Sequence, residues 1–156
     1  MKEKLTSAAA MTMKITVSLL LLTLLLHCAA LAQTAPAASL AATLKASKWQ
    51  KRVLLLCAPN ADNADLRRQQ QLLAPVRAEL NTRDLLVREV FTSQLPPADQ
   101  RYAREQLKVP ANGFVVILIG KDGGVKRRET SPLPPAQLFS TIDAMPMRQQ
   151  EMRRPN

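Results

Sequence analysis

The sequence predicts one exported α/β domain built on a mixed four-stranded sheet. Three observations carry that expectation. Val53–Cys57 (VLLLC) and Phe114–Ile119 (FVVILI) are apolar throughout and too short for buried helices, so they fit strands covered on both faces. Asp84–Phe91 (DLLVREVF) and Val125–Glu129 (VKRRE) mix charge into the strand pattern and fit sheet edges. Polar segments with apolar residues at helical spacing lie between most of these runs.

Residues 1–32 carry the pattern of a secretory signal peptide. Lys2, Lys4 and Lys14 make a positive n-region, Ile15–Leu26 an apolar h-region, and Ala30-Leu31-Ala32 a small-x-small cleavage site before Gln33. The h-region is 12 residues long, against the roughly 20 that span a bilayer. No charged stop-transfer segment follows it, so cleavage is favoured over a retained anchor. Cys28 does not fit a lipoprotein signal, because His27 occupies the place of a small residue. Met11 or Met13 are alternative starts that tidy the n-region. The expected location is the periplasm or the cell exterior.

Removing residues 1–32 from 156 leaves 124, enough for one domain with a core. Three lysines and one glutamate leave with the leader, so 22 basic and 12 acidic residues become 19 and 11, a balance of +8. His27 and Cys28 leave too. The remaining chain has one cysteine, Cys57, and no histidine. It cannot form a Cys/His or Ser/His pair, an internal disulfide or a Cys/His zinc site. No cofactor and no metal are expected.

Residues 33–47 are rich in Ala, Thr, Ser and Pro and read as a linker, with helix allowed near Leu40–Lys45. The domain proper is expected over residues 48–154, opening at Trp49. Val53–Cys57 is β1. The polar stretch NADNADL then offers Asp62 or Asn63 as a helix N-cap. Leu66, Leu73, Val76 and Leu80 follow at near-helical spacing, and Pro75 should kink that helix near Gln71. Asp84–Phe91 is β2. Pro96-Pro97 starts a helix toward Lys108, with Tyr102 and Leu107 inward. Phe114–Ile119 is β3, the GKDGG segment is a hairpin turn, and Val125–Glu129 is β4. Pro134-Pro135 opens a last helix with Leu138, Phe139 and Ile142 inward.

The element order is strand-helix-strand-helix-strand-strand-helix. Placing the apolar strands centrally gives the sheet order β2-β1-β3-β4. In it β1 and β2 form a right-handed parallel crossover, β3 and β4 an antiparallel hairpin, and helices cover both faces. This is the arrangement of the thioredoxin fold. A different α/β sandwich of similar content is the alternative.

Several segments resemble a known family. GFVVILIGKDGGVKRRE, LFSTIDAMPMRQQEMR, SKWQKRVLLLCAPN and RRQQQLLA together resemble a domain of unknown function found in secreted bacterial proteins and in vertebrate sushi-repeat extracellular proteins. The resemblance runs from about Lys48 to Arg153 and implies a thioredoxin-like fold without implying a reaction. QLLAPVRAEL also resembles the thioredoxin helix that follows the two redox cysteines. On that match the cysteine positions fall at Arg67 and Gln70. Val109-Pro110 resembles the cis-proline dipeptide before β3 in thioredoxins, with Ala111-Asn112-Gly113 intervening.

These features set the functional expectation. Cys57 ends an apolar strand, where a free cysteine is ordinarily a small buried hydrophobe. A reactive thiol would need a cation or a helix N-terminus beside it, which Arg67, Arg68 and the following helix could supply. The favoured reading is an exported, redox-inactive thioredoxin-like binding module. The alternative is a thiol-dependent peroxidase or reductase that uses Cys57. A ligand site for an anion is expected at Asn60, Asp62, Arg67 and Arg68, at a helix start. The acidic and amide oxygens of NADNAD fit a turn and cap better than a calcium loop. Lys121, Lys126, Arg127 and Arg128 gather on one hairpin and suit a protein or anionic partner, or else an ordinary charged edge. Nucleic acid is disfavoured, because Trp49, Phe91, Tyr102, Phe114 and Phe139 mostly fall at expected core positions. No stable membrane span is expected after cleavage. Met145, Met147 and Met152 are read as gap-fillers near a helix end broken at Pro146, rather than a contact surface or soft-metal site.

Overall fold

The four apolar or mixed runs form one sheet. A computed structural model describes residues 38–153. The expected leader, its cleavage site and the first residues of the expected linker lie outside the described residues. The strands are β1 (Arg52–Ala58), β2 (Leu85–Phe91), β3 (Val115–Ile119) and β4 (Val125–Glu129), in the order β2-β1-β3-β4. β1 pairs parallel with β2, and Cys57 faces Val90 across that ladder. β3 runs antiparallel to both β1 and β4. Every residue of β1 and β3 is buried, whereas β2 and β4 are partly exposed. The charge content of the edge strands thus fixes which pair is central. A register shift at Leu118/Ile119 bulges the β3–β4 hairpin beside its Gly-rich turn.

Among the described residues six α-helices cover the sheet: α1 (Leu40–Ser47), α2 (Ala64–Leu73), α3 (Arg77–Thr82), α4 (Pro97–Glu105), α5 (Pro135–Asp143) and α6 (Pro146–Arg153). Leu66, Leu73, Leu80, Leu138 and Ile142 pack with Leu54, Leu56, Val116 and Leu118 on one face. Leu40, Ala103 and Leu107 pack with Val53, Leu55, Cys57, Val115 and Ile117 on the other. The alternation of strand side chains divides β1 and β3 between these two cores.

Four sequence expectations change. The helix allowed near Leu40–Lys45 within the expected linker forms as α1, and the compact unit that contains it begins at Ala38. Ser39 caps this helix by accepting from the Ala42 amide at 3.1 Å. Buried Leu40 donates its amide to Asp99 Oδ2 at 3.0 Å, which ties α1 to α4. Pro75 does not merely kink a helix. Its missing N–H stops α2 at Leu73, and a 3-10 turn at Ala74–Val76 leads into α3. Trp49 is not a core residue but is 62 % exposed, with a left-handed φ of 67°. Beyond the last predicted helix, Pro146 opens α6; Met145 packs on the core, while Met152 is exposed.

Candidate functional site

The carboxyl ends of β1 and β2 are where this topology opens a crevice. The chain leaves β1 toward α2 on one face and leaves β2 toward α4 on the other. A cavity of about 250 Å³ lies there, lined in part by Pro59, Thr92, Ser93, Gln100, Val109 and Pro110. Local hydrogen bonds build its wall. Ser93 donates both its hydroxyl (2.6 Å) and its amide (3.3 Å) to the Pro59 carbonyl. The Thr92 hydroxyl lies 3.4 Å from the Ala58 carbonyl and 3.3 Å from that of Ala111. Gln100 donates to the Leu95 carbonyl at 2.9 Å.

Cys57 lies beneath this wall rather than in it. It is fully buried, in the same apolar cluster as the cavity-lining Ala103 and Val109. Burial pushes its thiol up from 9.0 to about 12, and the Arg128 guanidinium only partly opposes that shift. At pH 7 the thiol is therefore held protonated. Arg128 itself is held by the Leu107 and Lys108 carbonyls at the end of the α4 segment.

The residues expected to hold an anion are used mostly for local structure. Asn60 Oδ1 accepts from the Asp62 amide at 3.0 Å. Asn63 is the N-cap of α2, accepting from the Leu66 amide at 3.0 Å. Asp62 pairs with Arg67 through an exposed salt bridge. Asp62, Arg67 and Arg68 line one depression of about 580 Å³ with Gln71 and Leu72, whereas Asn60 lies outside it. The structure therefore brings three of the four residues together, and it neutralises one of the two arginines.

The thioredoxin-matched positions carry no thiol chemistry. Arg67 is occupied by Asp62, and Gln70 donates to Glu89 at 2.6 Å. Between them Gln69 is fully buried, and its amide bonds both ways with the Leu133 backbone, at 3.1 and 2.6 Å. Among the described residues no peptide bond is cis, Val109-Pro110 included. The basic hairpin is also internally satisfied. Lys126 pairs with Asp122 at 2.6 Å, and Arg127 contacts Glu129, Thr141 and Gln137.

Sequence reasoning missed the densest polar cluster, at the opposite end of β1. Arg52 is 1 % exposed and makes a bidentate pair with Glu151, both contacts at 3.2 Å, while donating to the Arg83 carbonyl at 2.9 Å. Lys121 bridges Glu151 (2.7 Å) and Asp84 (2.9 Å). Arg83 and Arg148 both hold Asp143. Hydrogen bonds from Lys51 and Lys121 hold the Asp84 carboxyl below its ordinary range, and Arg83 does the same for Asp143. Burial disfavours the Glu151 carboxylate, but Lys121 and Arg52 together outweigh it and keep its pKa low. A charged residue directly before an all-apolar strand was the available signal; its partner, 99 positions away, left none.

Known proteins place this geometry in context. The chain is 31 % identical to the human sushi repeat-containing protein SRPX over 136 residues, and 30 % identical to the mouse protein over the same length. The matches take in 80 % of this chain but 29 % of each relative, so the chain corresponds to under a third of those proteins. Among solved structures, reduced 2-Cys peroxiredoxin from Plasmodium vivax superposes with a TM-score of 0.52 at 14 % identity, over 70 % of this chain and 84 % of that one, which is a likeness of fold. The family described as Domain of unknown function (DUF4174) matches residues 43–151, and the chain belongs to that family, with a thioredoxin-like fold.

Proposed function

We propose that the chain is an exported binding module that keeps the thioredoxin-like scaffold and performs no thiol chemistry. One observation supports this above the others: the only cysteine downstream of the leader lies inside the central strand with its thiol raised to about 12. A thiolate is the attacking species in disulfide exchange and in peroxide reduction, and burial of this kind suppresses it. The positions that match redox cysteines are filled by Arg67 and Gln70, whose side chains serve local pairing. Binding is assigned to the carboxyl end of the sheet, where the cavity beside Thr92 and Ser93 and the Asp62–Arg68 depression offer hydroxyls, amides and Arg68 to a small anionic or polar ligand. Export follows from the n-region, h-region and Ala-Leu-Ala pattern of residues 1–32.

The test is turnover of hydrogen peroxide or a disulfide substrate in the presence of a dithiol reductant. The expected rate equals that of the Cys57→Ser protein. Turnover that Cys57→Ser abolishes would establish the peroxidase or reductase alternative.

A further inference from the structure

The two helical layers differ in surface charge. The layer of α2, α3, α5 and α6 with its connecting turns exposes or half-exposes six cations, but five carboxylates are set among them. The opposite layer, α1 and α4 with their flanking residues, exposes Lys45, Lys48, Lys51, Arg101, Arg104 and Lys108 against Glu105, while Asp122, which shares a depression with Lys45, Lys48 and Lys51, is paired with Lys126. The other acid of that layer, Asp99, is buried and spent on the Leu40 amide. Of the six cations only Lys51 has an ion-pair partner, Asp84, among the described residues. Arg101 and Arg104 lie three apart on one side of α4, and exposed Lys108 follows the helix end in a left-handed conformation. α1 packs directly against α4, so Lys45 joins the same outer face.

An exposed aromatic residue sits at the margin of this face. Trp49, the only tryptophan in the chain, is held outward by its left-handed backbone and by donation of its amide to the Lys121 carbonyl at 2.6 Å. The Lys48 ammonium lies 5.4 Å from the indole centroid. Chain order adds a third observation. The apolar segment Ile15–Leu26 precedes Leu40 by 13 intervening residues, and the chain enters the folded unit through α1, on this same layer. Such a stretch reaches at most about 45 Å when extended.

We infer that the α1/α4 layer, with Trp49 at its margin, docks on an anionic lipid surface. Unpaired lysines and arginines supply attraction to acidic headgroups. An exposed indole suits the polar–apolar boundary of a bilayer, where a solvated polyanion would have less use for it. This surface meets the carboxyl-end crevice at Arg104, but the redox-inactive reading rests on Cys57 and would stand if the docking failed.

Trp49 is its own reporter. The chain from Gln33 onward keeps every residue of both core clusters and can be titrated with vesicles of phosphatidylglycerol and phosphatidylcholine, or of phosphatidylcholine alone. With anionic vesicles the expected results are co-sedimentation, a blue-shifted Trp49 emission and protection from aqueous quenchers. All three should be absent with neutral vesicles and should weaken in 1 M salt. Replacing Lys45, Lys48, Arg101 and Lys108 by glutamine should weaken binding by about fivefold for each charge that lies at the surface. Trp49→Ser should weaken it further without altering the circular dichroism of the fold. Binding equal on neutral and anionic vesicles, or no Trp49 shift on anionic vesicles, would overturn the inference. So would a stronger response to heparin or DNA than to anionic vesicles, which would assign the face to a glycan or nucleic acid.

Discussion

At the carboxyl ends of β1 and β2 the polar groups are small, and they mostly bond to nearby backbone carbonyls. At the other end of β1, Arg52, Lys121, Arg83 and Arg148 interlock with Asp84, Asp143 and Glu151 across long sequence separations. The first end is where this topology places ligands, yet its single thiol is sealed under the wall. The second end holds most of the partly buried ion pairs. Charge in this protein therefore serves assembly at one end of β1, while at the other, where binding is proposed, the charges are the exposed Asp62, Arg67 and Arg68. α6 shows this most plainly: none of its residues is buried, and its side chains reach the body through Glu151 and Arg148.

Changes that break the assembled end should cost most. Arg52→Ala takes the bidentate partner from Glu151, leaving it Lys121 and Arg148, and opens a void at the start of β1. The expected loss is about 3–5 kcal/mol in denaturant unfolding, and Arg52→Met should recover part of it by filling the space. Gln69→Ala, near the recognition end but buried, orphans the amide and carbonyl of Leu133; about 2–3 kcal/mol should be lost. A smaller effect sharpens the contrast through pH. The carboxyl groups of Asp84, Asp143 and Glu151 are held below their ordinary values. Their contribution is fully present above the unfolded values near 4 and is lost as pH falls through the lower folded values. Amide exchange should show α6 losing protection in that acid range before β1 and β3 do, and Glu151→Gln should bring the loss to neutral pH.

The sheet was legible because its signals are local. VLLLC and FVVILI contain no polar residue, and DLLVREV and VKRRE do, which is enough to order four strands. Asn63 as a cap and Asp122-Gly123 in the hairpin turn were legible for the same reason. What escaped was set by distant partners. α1 looked like a linker because its Ala-rich surface shows little amphipathic contrast; its docking depends on Leu40 and on Asp99, 59 residues later. Trp49 looked like core because aromatic residues usually are, whereas a left-handed φ turns it outward. The cationic hairpin suited either a partner or an ordinary charged edge, and its contacts with Asp122, Glu129, Gln137 and the Leu107 carbonyl were not legible.

The central claim is that the recognition end has no ionisable thiol in reach of solvent, and direct titration of Cys57 tests it. Thiolate absorbance in the folded protein, with Cys57→Ala as the blank, should show no ionisation below pH 9 and a midpoint pushed toward 12. The same burial makes a stability contribution that is fully present below 9.0 and is lost as pH rises toward 12. Its loss should therefore be missing from the alanine variant. A native thiolate already formed near pH 7 would contradict the account and place a reactive cysteine at the crevice.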